Sequence, residues 1–197
     1  MASFAYAEDV ATLLPGRDLT DDELDAAELL CLLATGEIQA ATNQQLVLVA
    51  DDVANLRGTW AATLRLPQRP VVSVSAINAA GFAVPTGSWQ LVQDSLHRGR
   101  LPIFNGPDID DPDLYGTTWF GPGTNVQITY THGFADDAIP ADLRSAVVRA
   151  ALEFFVNPEG FTAETIGQYS YQKQASDGGL VPKSTMDALV ARYGDNS

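Results

Sequence analysis

Acid–base or nucleophilic chemistry in this sequence would have to begin at His132, one of only two histidines in the chain. A histidine activates a nucleophile when a serine or cysteine lies beside it and a carboxylate orients its ring. Asp136 and Asp137 follow closely and could serve a hydrolase, but no glycine pattern of a nucleophile elbow is present. Cys31, the only cysteine, lies in an apolar helical pattern. We therefore interpret His132 as a turn or packing residue and Cys31 as a buried thiol.

A cation site is the second chemical possibility, in the acidic loop at residues 105–122. The carboxylates available as ligands are Asp108, Asp110, Asp111 and Asp113. An EF-hand pattern fails, because its fifth position is Pro112 and its twelfth is Trp119 instead of glutamate. Neither a P-loop nor a dinucleotide-binding glycine pattern occurs. The sequence thus predicts a solvated loop, no cofactor and no metal, and a protein that is not an enzyme.

The net charge of −14 is concentrated in two segments. Residues 1–60 carry 11 acidic and 2 basic side chains, and residues 105–142 carry 7 acidic and none basic. Residues 61–104 carry 1 acidic and 4 basic side chains. Binding to nucleic acid phosphates needs clustered lysine and arginine, so this charge argues against a protein that grips DNA. An acidic protein can still surround DNA without adhering to it.

The length and hydropathy bound the class of protein further. A chain of 197 residues with 46% hydrophobic content suits one domain with a core, or one domain with an appendage. The first residues, MASFAYAEDV, lack the basic region and apolar run of a secretory signal. No apolar run approaches membrane-spanning length. We expect a soluble protein of cytoplasmic origin, without a membrane partner.

Helical patterns lie on either side of a β region. Thr20-Asp21-Asp22-Glu23 matches a capping box, and apolar residues then recur at helical spacing, which predicts a helix over residues 21–41. A shorter helix over 6–14 precedes it, and a third begins at Pro140 and spans 140–156. The third helix is apolar on two faces, so we expect neighbours on both sides and packing against the second helix. Its first apolar face is formed by Leu143, Val147, Ala150 and Phe154, and its second by Val148, Leu152 and Phe155.

Residues 45–131 have the alternation and the β-branched and aromatic content of strands. The predicted strands are Leu46–Val49, Trp60–Leu66, Val71–Ile77, Ser88–Val92 and Val126–Thr131. Gly133 then allows the backbone to turn towards the third helix. The predicted fold class is α+β, a small α-helical bundle with an inserted antiparallel β region and an extended C-terminal arm. We expect one domain over residues 1–160, followed by the arm.

The predicted arm spans residues 161–197, with a short helix near 184–193. Its composition offers little apolar surface, so we expect it to be loosely held in the free protein. Tyr169 and Tyr171 alternate with polar residues as in an edge strand that could join a partner's sheet. Lys173 and Lys183, the two lysines of the chain, give the arm a cationic character.

Several motifs in fixed order indicate a family. They are "LRLPQRPVVSVSAI" at Leu64–Ile77, "VQITYTHGF" at Val126–Phe134, "IPADLRSAVVRAALEFFVNPEG" at Ile139–Gly160 and "ETIGQYSYQ" at Glu164–Gln172. In this order, and with the capped helix ahead of them, they resemble the head-to-tail connector proteins (head-completion or adaptor proteins) of long-tailed bacteriophages and related gene-transfer particles. The resemblance extends from end to end of the chain and is weakest in the acidic loop and the C-terminal helix.

The resemblance implies a structural role in the neck of a virion, with the chain in the host cytoplasm during assembly. Members of the family are taken to form a ring of about twelve copies with heterologous contacts. The ring lies beneath the portal, offers a docking surface for the next neck or tail protein, and lets DNA pass through its channel. C-terminal arms of the family reach to the portal, so Tyr169, Tyr171, Lys173 and Lys183 are candidate portal-binding residues. Candidate subunit-interface residues are Val148, Leu152 and Phe155.

Two other classes of function remain as alternatives. The first is a binding module whose β region holds a small molecule or a protein between Trp60, Trp89 and Trp119. The second is a hydrolase that uses His132 with Asp136. In the connector interpretation His132 is architectural, and the acidic surplus of residues 1–60 and 105–142 faces the channel in part.

Overall fold

The chain divides into two compact units in a computed structural model that describes residues 3–14, 16–98, 118–156, 163–166, 169–172 and 179–194. The first, here called the helical unit, comprises Met1–Val47 and Ala135–Ser197. The second, the β unit, is the intervening segment Leu48–Phe134. Helices and antiparallel sheets together confirm the predicted α+β class.

The helical unit is built around its longest helix. Its helices are α1 (Ala7–Thr12), α2 (Asp21–Thr42), α3 (Ala141–Val156) and α4 (Lys183–Tyr193). Each of α1, α3 and α4 packs against α2, which confirms the expected packing of α2 and α3 despite their distance in sequence. The buried side of α2 is formed by Ala27, Leu30, Cys31, Ala34, Thr35, Ile38 and Thr42. This single helix therefore holds the unit together.

The start of α2 has the hydrogen bonds of a capping box. Oγ1 of Thr20 accepts from the backbone N–H of Glu23 at 3.4 Å, and the Glu23 carboxylate accepts from the backbone N–H of Thr20 at 2.9 Å. Two N–H groups without intrahelical partners are satisfied in this way. The helix ends at Asn43, whose φ of 52° is the left-handed conformation that commonly closes a helix.

The apolar stripe of α3 is buried along most, but not all, of its length. Leu143, Val147 and Ala150 are buried as predicted. Phe154 continues the same face in the last turns of the helix, yet 46% of its surface is exposed. The predicted apolar face of α3 is therefore buried at Leu143, Val147 and Ala150 but only partly covered at Phe154.

Two antiparallel sheets form the β unit. The strands are β1 (Val49–Arg57), β2 (Thr63–Arg65), β3 (Val71–Ala79), β4 (Phe82–Ala83), β5 (Trp89–Val92), β6 (Ser95–Arg98) and β7 (Asn125–His132). One sheet has the order β1-β7-β3-β4 and the other β2-β6-β5. A separate hairpin, β8 (Ala163–Ile166) and β9 (Tyr169–Gln172), follows α3. The predicted alternation of β7 is observed, with Val126, Ile128 and Tyr130 all buried.

Strand β1 begins where the sequence predicted a strand to end. The apolar residues Leu46 and Val47 of the predicted strand Leu46–Val49 are buried in the helical unit, and β1 runs through the polar sequence after them. The backbone of β1 is hydrogen-bonded to β7, although the polar composition of β1 does not predict a strand. Asp51 has a φ of 52° at the register shift between Val49 and Asp52, so a bulge also interrupts the alternation.

The predicted strand Trp60–Leu66 is shorter in the structure. Trp60 has a φ of 56°, a conformation outside the β region, and β2 begins only at Thr63. Strand β6 was not predicted, because its four residues include His97 and Arg98 and have little β-branched character. Its partners β2 and β5 lie on either side of it.

The core of the β unit contains a fully buried tryptophan, Trp119. Its Nε1–H donates to the carbonyl oxygen of Leu96 at 2.9 Å, so the polar atom of the ring is satisfied inside the core. The backbone N–H of Trp119 also donates to the carbonyl of Ala61 at 2.7 Å. The segment before β7 is thus tied both to β6 and to the chain that leads into β2.

Candidate functional site

His132 lies at the end of β7 and is fully buried. Its Nε2 atom lies 3.2 Å from Oδ2 of Asp52, and its ring centroid lies 5.1 Å from that of Tyr130. Gly133 follows with a φ of 89°, which makes the predicted turn. The carboxylate beside the histidine is therefore supplied by β1, 80 residues earlier in the chain, and not by Asp136 or Asp137.

Among the described residues, the environment of His132 lacks the arrangement of a catalytic triad. In such a triad one ring nitrogen contacts the nucleophile and the other contacts the carboxylate. Here Nε2 contacts the carboxylate, while Nδ1 is buried without a hydrogen-bond partner among the described residues. Cys31 belongs to the other unit and is fully buried. Burial raises the pKa of its thiol to about 12, with smaller contributions from Glu28 and Asp9, so the reactive thiolate is disfavoured.

We expect His132 to matter for stability. A His132→Ala substitution removes a fully buried ring and leaves a cavity, so it should lower the free energy of unfolding by roughly 2 kcal/mol. Asp137→Ala changes an exposed carboxylate and should stay within about 0.5 kcal/mol of the wild type. Urea titrations followed by tryptophan fluorescence compare the two variants. Equal stabilities would contradict the packing role.

Among the described residues, no group of three or more histidine, cysteine, aspartate or glutamate side chains is placed to hold a metal ion. Most of the acidic loop, including all four of its aspartates, lies outside the described residues. For that loop, the sequence prediction of a solvated segment without a bound cation therefore remains a prediction.

The three tryptophans of the binding-module alternative have different environments within the β unit. Trp119 is fully buried, Trp89 is half-buried and Trp60 is 67% exposed. The Arg98 guanidinium carbon lies 4.1 Å from the centroid of the Phe120 ring and 5.9 Å from that of Trp119, and burial lowers the pKa of Arg98. Trp119 is thus packed in the core and against Arg98, so its ring is not accessible to a ligand.

The candidate portal-binding residues fall in three different places. Tyr169 and Tyr171 lie in β9, where they pair with Ile166 and Glu164 of β8. The strand expected to seek a partner's sheet therefore has a partner in its own chain. Lys173 lies outside the described residues. Lys183 is the first residue of α4, and its exposed Nζ lies 3.8 Å from Oδ1 of Asp187.

The chain around α4 is anchored to the bundle by Glu37 of α2. The Glu37 carboxylate accepts hydrogen bonds from the backbone N–H groups of Leu180, at 2.8 Å, and Val181, at 3.3 Å. Val181 and Leu189 are buried. The expectation that the whole arm is loosely held is wrong for residues 179–194. A carboxylate of α2 accepts hydrogen bonds from two backbone N–H groups there, and the composition of the arm does not predict this contact.

A second carboxylate, Asp142 at the start of α3, holds the far end of α4. It accepts a hydrogen bond from the Tyr193 hydroxyl at 2.9 Å and another from Nη1 of Arg192 at 2.8 Å. Burial, followed by the hydrogen bond to Asp142, raises the pKa of Tyr193 to about 12. Because this lies above the usual value of about 10, the protonated tyrosine stabilises the folded chain below pH ~10, and that contribution is lost as the pH rises through about 12.

Removing the Glu37 carboxylate should loosen α4 selectively. In Glu37→Ala two backbone donors lose their acceptor, and we expect a loss of about 1–3 kcal/mol. Hydrogen exchange of the amides at 180–193 should accelerate more than exchange within α2. Asp25→Ala, an exposed acidic residue of the same helix, serves as the control and should leave those amides protected. Equal protection of α4 in both variants would show that Glu37 does not hold it.

The three candidate subunit-interface residues of α3 differ in accessibility. Val148 is buried within its own chain, whereas Leu152 and Phe155 are half-buried. The face that was expected to meet a neighbouring subunit is thus partly used inside the chain. Leu152 and Phe155 keep surface that a neighbour can cover.

Comparisons with known proteins indicate where this fold has been seen. No protein-family model matches the chain, and no curated protein matches it. Among solved structures, the chain is similar to one described as "Neck of empty GTA particle computed with C6 symmetry", with 20% identity, a TM-score of 0.54, and coverage of 97% of this chain and 89% of that one. It is also similar to a chain of "Virion of native gene transfer agent (GTA) particle", with 21% identity, a TM-score of 0.51 and the same coverage. The chain therefore shares the fold of these two chains over nearly its whole length.

Within the described part of the chain, every helix falls short of the length or the apolar content that spanning a bilayer requires.

Proposed function

We propose that this chain is a structural virion protein of the head-to-tail junction of a phage or gene-transfer particle. Copies of it form a ring of about twelve beneath the portal, join the DNA-filled head to the neck and tail, and enclose a channel for DNA. The observation that carries the proposal is the shared fold over 97% of the chain with a chain from the neck of a gene transfer agent particle. The ordered motifs from Leu64 to Gln172 point to the same class.

The chemistry of the chain supports a structural role over a catalytic one. The only histidine that the sequence offered as a base is buried against Asp52, and the only cysteine is a buried thiol with a raised pKa. What the described residues do offer is rigid packing around α2 and exposed apolar surface. These features suit a protein that works by contact with other subunits.

The placement of charge supports a channel that DNA traverses freely. The helical unit carries 18 of the 25 acidic side chains. Acidic surface repels the phosphate backbone, so DNA can slide past it without being held. We therefore expect the free chain not to bind duplex DNA at low salt in a gel-shift or anisotropy titration. Tight binding that weakens steeply with salt would contradict the proposed channel surface.

The partners in this proposal are the portal, through residues of the C-terminal segment, and the next neck or tail protein. Lys183 at the start of α4 is exposed and free to reach a partner beyond its local contact with Asp187. Tyr169, Tyr171 and Lys173 remain candidates for contact with the portal. The anchoring of α4 by Glu37 and Asp142 supports a fixed position for Lys183.

Loss of the gene in the strain that produces the particle tests the proposal. We expect heads that package DNA but carry no tails, with infectivity or gene transfer restored by a plasmid copy. A His132→Gln variant that folds should also restore it, because the proposal gives His132 no chemical step. Tailed, active particles formed without the protein would overturn the proposal.

A further inference from the structure

The side of α2 that faces away from its packing partners exposes a continuous apolar stripe. Leu29 and Leu33 are 56% and 51% exposed. Ala26, Gly36 and Ala40 are exposed on the same side, since residues that alternate at spacings of three and four lie along one face of a helix. We call Ala26, Leu29, Leu33, Gly36 and Ala40 the outer face of α2. It extends from Ala26 to Ala40, a rise of about 21 Å along the helix.

Two leucines exposed one turn apart between small residues form a patch, not isolated surface residues. The buried residues of the helix, including Cys31 and Ile38, lie on the opposite side, so the outer face is not an edge of the core. At Gly36 an added Cβ would meet no atom within 4 Å. The small residues therefore leave room for another helix to approach closely.

The charges of α2 restrict what can cover this face. The helix carries six acidic side chains and no basic one. Asp22 and Asp25 are exposed beside the N-terminal end of the outer face. Two outer faces aligned in parallel would bring these carboxylates together, and in the antiparallel arrangement they would meet no cation. The fitting partner is an apolar helix surface that also carries a basic residue.

The same chain offers such a surface on α3. Arg149 is exposed and makes no ion pair within the described residues, whereas Arg144 donates to the backbone carbonyl of Asp136 at 3.1 Å. Ala141 and Ser145 are exposed on the side of α3 that bears Arg149, and Leu152, which is half-buried, lies one turn further along. We call Ala141, Ser145, Arg149 and Leu152 the outer face of α3.

We propose that the outer face of α2 in one copy docks on the outer face of α3 in a second copy, with Arg149 against the acidic N-terminal part of α2. The inference rests on the proposed function, which requires a ring, and names the surfaces that build it. A contact between two different surfaces leaves one of each free at the ends of any open chain, so it repeats from copy to copy and gives a ring when its rotation closes. Of the three apolar α3 residues expected at a subunit contact, Leu152 lies within this surface.

Charged substitutions on the outer face of α2 test the contact in the full chain. We expect the wild type to sediment faster as its concentration rises towards about 1 mM, and L29E/L33E to remain monomeric throughout. Leu13→Glu is the matched control, because Leu13 is equally exposed, at 56%, on the same unit but at the end of α1 and not on α2. Both variants should keep the melting curve of the wild type. Wild-type protein that stays monomeric, or L29E/L33E that associates as the wild type does, would overturn the inference.

A mixing experiment distinguishes the two-surface contact from self-pairing of α2. Arg149→Glu alters the outer face of α3 and should weaken self-association at least tenfold. L29E/L33E keeps an intact α3 face, and Arg149→Glu keeps an intact α2 face, so a mixture of the two should form a 1:1 dimer and nothing larger. Pairing between two α2 faces instead predicts homodimers of Arg149→Glu and no complex that contains L29E/L33E. A mixture that stays monomeric, or in which only Arg149→Glu pairs with itself, therefore overturns the proposed contact.

Electron microscopy of each protein with portal protein separates this inference from the proposed function. If wild type forms rings on the portal and L29E/L33E does so equally well, the proposed function stands and the α2–α3 contact is wrong. If the wild type forms no ring on the portal, the proposed function fails, whatever α2 does in the free chain. Rings with wild type and Leu13→Glu but not with L29E/L33E support both.

Discussion

Trp119→Ala is expected to lower the free energy of unfolding by about 3–5 kcal/mol. Trp119 is the largest side chain that is fully buried among the described residues. Its removal leaves a cavity in the core of the β unit and deprives the Leu96 carbonyl of a hydrogen bond of 2.9 Å. Urea titration of the purified chain, followed by far-ultraviolet circular dichroism, measures the loss.

Trp60→Ala is the matched control for this substitution. Trp60 belongs to the same unit but is 67% exposed, so its replacement should cost less than about 1 kcal/mol. The comparison holds the residue type constant and varies only the burial. Similar losses in the two variants would mean that the segment containing Trp119 is packed differently from the structure described above.

Leu143→Ala should cost about 2–5 kcal/mol, because Leu143 is fully buried where α3 meets the rest of the helical unit. Phe154→Ala, on the same face of the same helix, should cost roughly 1 kcal/mol or less, because nearly half of that ring is exposed. Thermal or urea unfolding measures both. A larger loss at Phe154 than at Leu143 would place the packed part of α3 at its other end.

The elements that the sequence identified correctly are those whose signals are local. The capping box at Thr20 and the helical spacing after it are complete within the segment itself, and α2 follows them closely. The alternation of Val126, Ile128 and Tyr130 is likewise local, and β7 contains it. The resemblance to connector proteins, carried by ordered motifs, agrees with the fold shared with the chains of gene transfer agent particles.

The features that the sequence did not reveal depend on contacts between distant residues. Strand β1 has weak alternation and exists because β7 pairs with it. The carboxylate at His132 comes from Asp52 because that same pairing places it there. Residues near α4 are held by Glu37, more than 140 positions earlier. No local pattern encodes these partners. From the sequence, Asp136 was therefore the expected carboxylate partner of His132, and no contact that anchors α4 was predicted.

Which apolar residues of α2 and α3 are buried, and which are exposed, also depends on tertiary structure. From the sequence, α2 and α3 each have an apolar stripe too wide to leave in water. The structure buries Val148 of α3 inside the chain and leaves Leu29 and Leu33 of α2 exposed. Two leucines of the apolar stripe of α2 thus lie at the surface of the chain, although the sequence pattern alone placed them with the core.

Electron microscopy of the full chain mixed with the portal protein of the same particle tests the central claim most directly. We expect a closed ring of this chain, stacked coaxially on the portal and open at its centre. The ring should be absent when either protein is imaged at the same concentration with an unrelated partner. A chain that stays off the portal, in a mixture where the portal itself is intact, would contradict the assignment to the head-to-tail junction.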